Sequence, residues 1–254
     1  MKVRILGCGT SSGVPRIGND WGDCDPSEPR NRRTRVSILV EHRGTHVLVD
    51  TSPDLRVQLL DAGVVDLDAV IWTHDHADHC HGIDDLRQIF HYRGRPIPGY
   101  ARAETLQSLG SRFGYVFDGQ SGYPAVSEPR LLADSFEIGP IHVGIVDQPH
   151  GPITSAGIRF DADGKSIGYS TDLSELTDDM IALFEGVDLW IVDALRRRPH
   201  PTHPHLDQAL EWIARIGPGH AVLSHMDNSM DYGVLAAELP DGIEPGYDGL
   251  EVTL

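Results

Sequence analysis

The sequence has 254 residues, 40% of them hydrophobic and 23% charged, and this ordinary globular composition excludes a disordered or fibrous chain. The formal net charge of −17 repels polyanions, so we expect no stable complex with nucleic acid. No apolar run approaches the ~20 residues that span a bilayer, and the separated cysteines fit reduced thiols. The sequence therefore predicts a soluble, cytoplasmic protein that does not bind a membrane.

Strands and helices alternate in the first part of the chain. Apolar, β-rich runs predict strands at residues 3–6, 36–41, 46–50 and 69–73. Helical spacing of apolar residues predicts helices at 53–62 and 84–91. Residues 94–129 are rich in Gly, Pro and aromatic residues and show one helix, at 103–109, so we interpret this segment as an insertion or lid.

The same alternation returns in the second half of the chain. The predicted strands are 135–138, 142–146, 157–161, 166–170, 189–192 and 221–224. The predicted helices are 174–184 and 206–216. Because no low-complexity linker or repeat interrupts the pattern, we expect a single domain over residues 1–254, of the α/β class, with two sheets packed between helices.

Possible metal ligands are concentrated in one run that follows the predicted strand 69–73. The run reads Thr73-His74-Asp75-His76-Ala77-Asp78-His79. In an extended segment, residues two apart project to the same side, so His74 and His76 can reach one ion together. Asp78 and His79 lie where the chain turns into a helix and can face a second ion, although Asp78 alone could be a helix cap. So much polarity after a buried strand requires charge compensation, and it predicts a two-metal site.

This run matches the T-H-x-H-x-D-H signature of the metallo-β-lactamase superfamily, which the chain therefore resembles. The resemblance implies an αβ/βα four-layer sandwich with a dinuclear metal site at the sheet edges. It also implies three later ligands that follow strands, for which the candidates are His150, Asp172 and His225. The implied ligand sets are His74, His76 and His150 for one ion, Asp78, His79 and His225 for the other, with Asp172 bridging them.

The implied bridge would bring two divalent ions to within about 4 Å, so that a shared water loses a proton near neutral pH and attacks the substrate. Nitrogen and carboxylate ligands without thiolate suit zinc or manganese as the two cofactor ions, with iron as an alternative. Taken alone, Asp172 could instead cap a helix, because Asp172 and Glu175 fit a capping box. Taken alone, His150 could be a loop residue and His225 a strand-end residue bonded to the backbone.

Four further segments resemble the cyclic phosphodiesterase of bacterial phosphonate breakdown and its relatives. They are residues 7–15 (GCGTSSGVP), the arginine run 30–35, residues 198–203 (RPHPTH) and residues 246–249 (GYDG). The resemblance implies hydrolysis of a phosphodiester in a small phosphorylated or nucleotide-like substrate, with His203 protonating the leaving oxygen. His200 and His205 are alternatives for that role. The expected substrate contacts are Ser12, Arg198, His200 and His203.

One departure from these relatives concerns a structural zinc, which they hold with several N-terminal cysteines and a later histidine. Here residues 19–25 contain a single cysteine, Cys24, and the position of the later histidine is occupied by Asn228. We therefore expect no structural zinc, and the substrate can differ from that of these relatives. The alternative functions are a tRNA 3′-end processing endonuclease, a lactone or thioester hydrolase of the same fold, or a non-catalytic binding protein. By the same resemblance we expect a homodimer.

Overall fold

Fourteen strands form two mixed sheets of seven strands each in the computed structural model, which describes residues 1–254. The strands of the first sheet are β1 (Lys2–Gly7), β2 (Ser37–His42), β3 (Thr45–Val49), β4 (Ala69–Ile71), β5 (Ile97–Ala101), β6 (Ser127–Leu131) and β14 (Glu251–Thr253). Those of the second sheet are β7 (Ser135–Ile138), β8 (Ile141–His150), β9 (Ile153–Ala162), β10 (Lys165–Ser170), β11 (Leu189–Asp193), β12 (His220–Ser224) and β13 (Ile243–Pro245). Their orders are β14-β1-β2-β3-β4-β5-β6 and β13-β12-β11-β10-β9-β8-β7.

Seven α-helices accompany the two sheets. They are α1 (Leu55–Ala62), α2 (Ala77–Cys80), α3 (Leu86–Arg93), α4 (Ala103–Asp118), α5 (Asp178–Phe184), α6 (Leu206–Ile216) and α7 (Tyr232–Glu238). Apolar residues of α1, α3 and α4 pack on the first sheet, and those of α5, α6 and α7 pack on the second. The predicted αβ/βα four-layer sandwich is therefore confirmed. None of these helices has both the length and the apolar character needed to cross a bilayer.

Side-chain alternation along the strands of the first sheet separates two hydrophobic cores. On β2, Ile38 and Val40 belong to a cluster of 41 buried residues that joins the inner faces of both sheets. Leu39, between them, belongs to a cluster of 17 residues that lies under α1, α3 and α4. Successive strand residues point to opposite faces, so a strand covered on both sides is apolar throughout. This is why the buried strands appear in the sequence as continuous apolar runs.

The predicted strands are confirmed, and two boundaries change the surroundings of candidate site residues. The helix predicted at 174–184 begins only after Thr177, whose hydroxyl accepts a hydrogen bond from the Met180 N–H (3.3 Å) and caps the helix. Asp172 is therefore not a helix cap. Strand β8 continues to His150, so His150 ends a strand and does not lie in a loop.

Residues 94–129, which the sequence marked as an insertion or lid, extend the first sheet. The segment contains β5, α4 and the start of β6, and α4 runs well beyond the predicted helix 103–109. Because β5 pairs with β4 and β6 pairs with β5, this segment belongs to the sheet framework. A covering role over the site stays a prediction. The neighbouring helix, predicted at 84–91, is divided into a 3-10 turn at Ile83–Asp85 and α3.

Parallel strands in each sheet direct their carboxyl ends toward a common edge. Strand β3 runs parallel to β4, and β10, β11 and β12 run parallel to one another. The residues that follow or end these strands include Asp50, His74, Asp172, Asp193 and His225. Because the carboxyl ends of parallel strands meet at one edge of a sheet, the topology brings these polar residues together from distant parts of the chain.

Candidate metal centre

The first group of candidate ligands lies on residues 73–81, the ligand segment, which follows β4. His74 is buried in its extended part, and His76 immediately precedes α2. Asp78 and His79 belong to α2 itself, so the helical turn gives these two side chains a different direction. The carbonyl of Thr73 accepts a hydrogen bond from a backbone N–H of β9 (2.9 Å), which ties the segment to the second sheet.

The second group consists of single residues at the ends of second-sheet strands. His150 is the last residue of β8, Asp172 follows β10, and His225 follows β12. Asp172 and His225 have φ angles of 55° and 56°, in the left-handed region that residues other than glycine rarely adopt. Both residues are buried, so the surrounding fold holds this backbone conformation, a kind of local strain that clusters at functional sites.

The Asp172 carboxylate lies between two pairs of imidazoles. Its Oδ1 atom is 3.7 Å from His74 Nε2 and 3.4 Å from His150 Nε2. Its Oδ2 atom is 3.0 Å from His79 Nε2 and 3.5 Å from His225 Nε2. Each carboxylate oxygen therefore faces one set of histidines, which is the arrangement that a carboxylate bridge between two ions requires.

Possible ligand atoms form three compact groups, in each of which the atoms lie within 4.8 Å of one another, and two of the groups match the predicted ligand sets. These two are His74, His76, His150 and Asp172, and Asp78, His79 and His225, while the third joins Asp172 and His225 to Asp193 and His203. The Nε2 atoms of His74, His79 and His225 are buried without a hydrogen-bond partner. Buried polar atoms are normally satisfied, and imidazole nitrogen with carboxylate oxygen is a donor set for divalent transition metals. The residues present therefore fit two cations.

Three of the candidate ligand histidines have a contact at Nδ1, here called an outer contact, that fixes which imidazole nitrogen faces the centre. The Nδ1 contacts are His74 with Thr73 Oγ1 (3.0 Å), His79 with Asp50 Oδ2 (2.7 Å), and His150 with the carbonyl of Thr202 (3.0 Å). In each case Nε2 is left for a cation, as is usual for metal-binding histidines. Asp50 was not among the residues predicted from the sequence. Its signal was present, because Asp50 ends the apolar run of β3 just as His74 follows that of β4.

Asp193 is a second buried carboxylate beside the candidate ligands that was not predicted from the sequence. Its Oδ2 atom lies 2.7 Å from His203 Nδ1 and accepts a hydrogen bond from the Asp172 N–H (3.1 Å). Its Oδ1 atom is buried without a hydrogen-bond partner, 3.9 Å from His225 Nδ1. Asp193 thus contacts the predicted proton donor and the main chain of the candidate bridging residue, and it lies near the imidazole of a candidate ligand. Like Asp50, it ends a buried apolar strand.

Burial and mutual charge set the protonation of the metal-free cluster. Burial, reinforced by the charge of His79, holds the pKa of His74 well below its ordinary value. Burial alone would lower the pKa of His225, but Asp172 and Asp193 raise it to about 9. Burial alone would raise the pKa of Asp172, but His225 and its neighbours hold it well below its ordinary value. Near neutral pH the metal-free site therefore carries an ionised Asp172, a neutral His74 and a protonated His225, and a cation would displace the proton of His225.

The other predicted substrate contacts differ in their closeness to this centre. His203 Nε2 is 3.7 Å from Asp172 Oδ1, and the His200 ring centroid is 5.1 Å from that of His203. Ser12 and Arg198 are exposed, and neither side chain forms a hydrogen bond or ion pair with the cluster. Their roles as substrate contacts stay predictions, as do those of His200 and His203.

Residues 19–25, where the relatives' structural zinc would be expected, are held by hydrogen bonds. Within this stretch, the Asp23 N–H donates to the carbonyl of Asn228 (2.8 Å), and the Asp25 N–H donates to Asp231 Oδ2 (2.9 Å). Cys24 is a buried free thiol, and its burial raises its pKa. These contacts attach the loop to the chain around Asn228, and the expected absence of a zinc ion stays a prediction.

The sandwich and the paired ligand groups define a class of protein. A family profile described as "Beta-lactamase superfamily domain" matches residues 45–226. The chain belongs to the metallo-β-lactamase superfamily.

Within this superfamily the chain is similar to proteins with different described activities. A crystal structure of a new diphosphatase from the PhnP family is 34% identical, with a TM-score of 0.90, covering 99% of this chain and 96% of that one. An octanoyltransferase of Porphyromonas gingivalis is 34% identical over 260 residues, which cover 100% of this chain and 52% of that protein, so the chain spans about half its length. The zinc-bound PqqB of Methylobacterium extorquens is 23% identical, with a TM-score of 0.80 and complete coverage of both chains, and this likeness shows the fold.

Proposed function

We propose that the protein is a metal-dependent hydrolase that binds two divalent ions and cleaves a phosphodiester in a small phosphorylated or nucleotide-like substrate. The observation that carries this proposal is the position of Asp172, each of whose carboxylate oxygens faces one pair of ligand imidazoles. The similarity to a PhnP-family diphosphatase, at 34% identity over nearly the whole of both chains, supports a phosphate-centred reaction.

The seven ligand side chains would hold the two ions and keep them close together. Bound ions of this kind lower the pKa of a water molecule and stabilise negative charge on a phosphoryl group. Asp172 contributes its negative charge to both ligand groups, and its burial keeps that charge unscreened by solvent. The outer contacts of Asp50 and the Thr202 carbonyl keep the imidazole rings in place.

His203 would pass a proton to the leaving oxygen, and its contacts support this role. Its Nδ1 is held by Asp193 at 2.7 Å, so its Nε2 faces the cluster, 3.7 Å from Asp172 Oδ1. A hydrogen bond on one imidazole nitrogen fixes the orientation and tautomer of the other. His203 is only partly buried, with 11% of its side chain exposed, so a substrate that enters from solvent can reach it. Proton donation by a positioned histidine is a standard source of rate acceleration in ester hydrolysis.

Room and charge around the centre suit a small anionic substrate. A groove of about 630 Å³ adjoins the ligand segment and the end of β8, and its lining includes Asp75, Pro149 and Gly151. The exposed Arg198 and the imidazole of His200 lie on the loop that carries His203. We propose that the phosphate lies on the His203 side and that the remainder of the substrate extends into the groove.

The direct test is a substrate panel with metal-replete full-length protein. Bis(p-nitrophenyl) phosphate and cyclic and linear nucleotide diesters are hydrolysed if the proposal is correct, and the products are identified by mass. Treatment with a chelator should abolish hydrolysis, and added zinc or manganese should restore it. Inactivity on every phosphodiester, at full metal occupancy, would contradict the proposed reaction. Elemental analysis of untreated protein identifies the bound metal.

A second candidate reaction is hydrolysis of a diphosphate linkage. The observation that favours it is the described activity of the 34% identical relative, which is a diphosphatase. The same two ions and the same His203 would serve attack on either type of phosphorus centre. Comparison of kcat/KM for matched substrates, one with a phosphodiester and one with a diphosphate between the same two groups, separates the two reactions.

The same panel addresses the remaining alternatives. Lactones and thioesters test the other ester chemistries of the fold, and a gel shift with precursor tRNA tests the endonuclease. The net charge of −17 favours a small substrate over tRNA, so we propose that no stable nucleic-acid complex forms. We also propose that the protein is a homodimer, which sedimentation at several protein concentrations would test.

A further inference from the structure

Helix α4 holds the ligand segment from the side opposite the metal centre. Alternation in the extended part of the segment directs His74 and His76 toward the cluster and Asp75 away from it, toward α4. Asp75 Oδ2 accepts a hydrogen bond from Ser108 Oγ (2.5 Å) and one from Arg112 Nη2 (3.3 Å). Both donors lie on one face of α4, four residues apart.

The guanidinium of Arg112 contacts both ends of the turn that carries the ligands. Arg112 Nη2 donates to the main-chain carbonyl of Asp75 (2.6 Å), and Arg112 Nη1 lies 3.3 Å from His81 Nε2. Between Asp75 and His81 the chain presents three candidate ligands, which are His76, Asp78 and His79. A planar guanidinium has several fixed donors, so a single side chain can set the separation of the two contacts.

The backbone of α4 is irregular at the position next to this contact. Phe113 departs from helical geometry, with φ −129° and ψ 31°, although α4 continues on both sides of it. The Phe113 ring meets the His81 ring edge to face, with centroids 5.5 Å apart. Local breaks in a helix have identifiable causes, and here the break coincides with the residues that contact the ligand segment.

We propose that Arg112 is a positioning residue that orders the ligand segment for cation binding, and that this is a function of residues 94–129. This inference rests on the metal-binding part of the proposed function. The Arg112 and Asp75 side chains are each 34% exposed, so their ion pair by itself adds little to folding stability. Groups that contact metal ligands directly influence metal affinity by about 10- to 100-fold, and Arg112 contacts the residues that flank the ligands, so we expect the lower end of this range. The effect of removing Arg112 should therefore appear in metal binding.

The test compares Arg112→Ala and Arg112→Lys with a matched control, Arg102→Ala. Arg102 precedes α4 and pairs with Asp134 and Asp147, and it forms no hydrogen bond or ion pair with the ligand segment. Each full-length protein is stripped of metal and titrated with Zn²⁺ against a chromophoric chelator. We expect Arg112→Ala to bind Zn²⁺ about 10-fold more weakly than wild type, the lower end of the effect of a direct ligand partner. Arg112→Lys should lie between the two, because one ammonium cannot hold both contacts. Arg102→Ala should bind like wild type.

Unchanged Zn²⁺ affinity in Arg112→Ala would overturn the inference. An equal loss in Arg102→Ala would also overturn it, because the effect would then come from general displacement of α4. Thermal unfolding of the metal-free proteins monitors folding, and should Arg112→Ala not fold, Arg112→Lys and Ser108→Ala decide by the same affinity comparison. Failure of the wild-type chain to bind Zn²⁺ would refute the proposed function together with this inference, whereas normal binding in both wild type and Arg112→Ala refutes this inference alone.

Discussion

The two sheets contribute their candidate ligands in different ways. The first sheet supplies four of them, His74, His76, Asp78 and His79, on one short segment braced by Asp50 and by α4. The second sheet supplies three, each at the end of a separate strand and separated from the next by 20 or more residues of chain, in the order His150, Asp172 and His225.

The two groups of ligands are therefore positioned in different ways, one by local conformation and the other by strand pairing. The first group depends on local conformation, an extended stretch followed by a helical turn, which a few neighbouring residues specify. The second group depends on strand pairing and on the left-handed backbone at Asp172 and His225, which only the folded sheet can impose. We therefore expect changes in the first group to affect one ion, and changes at Asp172 to affect both.

The largest expected effect is that of Asp172→Asn, which keeps the shape of the bridge and removes its charge. Because Asp172 faces both ligand groups, we expect loss of both ions and a fall in kcat/KM on the order of 10⁴-fold, the scale seen when one member of a catalytic unit is removed. Asp78→Asn is the matched control, since Asp78 belongs to one group only. Metal content and kcat/KM are measured on both variants. Retention of two ions in Asp172→Asn would show that Asp172 is not required by both ligand groups.

Next in size is His203→Ala, which should separate proton donation from metal binding. His203 belongs to neither predicted ligand set, and its Nδ1 contacts Asp193, so we expect normal metal content and a fall in kcat of about 100- to 1,000-fold on substrates with poor leaving groups. With p-nitrophenolate, which leaves without a proton, the loss should be much smaller. The same variant assayed on a nitrophenyl and an alkyl diester measures this contrast. Equal losses on both substrates would argue for a different role.

A smaller effect is expected for Asp193→Asn, which tests whether Asp193, at the end of β11, holds His203 in position. The amide keeps the size of Asp193 and can no longer hold His203 Nδ1 with a charged acceptor. We expect kcat to fall by about 10- to 100-fold, the usual effect of an outer contact, with a changed dependence of kcat on pH. The combination with His203→Ala is the control, because the two changes should not be additive if Asp193 acts through His203. Full additivity would place Asp193 elsewhere in the mechanism.

The last test contrasts Asp172 with Asp248, a buried carboxylate that has amide and hydroxyl donors in place of imidazoles. Asp248 accepts hydrogen bonds from the Thr34 N–H (2.7 Å) and the Cys8 N–H (3.1 Å), and burial raises its pKa from 3.8 to about 6. A folded-state pKa above the unfolded value favours the protonated form. The stability that Asp248 contributes is therefore complete below about pH 4 and is lost as pH rises through about 6, by up to about 3 kcal/mol.

Urea unfolding of metal-free wild type and Asp248→Asn, from pH 4 to 7.5, measures this effect. The wild-type free energy of unfolding, minus that of the variant, should decrease over this range, because the variant cannot titrate at this position. The subtraction removes titration of the other groups. A difference that stays constant with pH would show that Asp248 keeps the same charge throughout.

The sequence identified the candidate ligands better than the residues that hold those ligands in position. The ligand segment stood out because four ligands lie within six residues, and the strand ends supplied His150, Asp172 and His225 through resemblance to a family. Asp50 and Asp193 were missed, since an aspartate after an apolar strand is common and its partner is visible only when His79 or His203 lies beside it. Arg112 was also missed, because its contacts with Asp75 and His81 are visible only in the folded chain.

By itself the sequence determined the layered α/β class, the apolar strands and the chemical nature of the centre, because these follow from periodicity and from residue types that are close together in the chain. Only the tertiary structure decided that β5 and β6 extend the first sheet, that His150 ends a strand, and that Asp172 points one oxygen at each pair of histidines. These features depend on pairing between segments far apart in sequence, and such contacts arise from the packing of the whole chain.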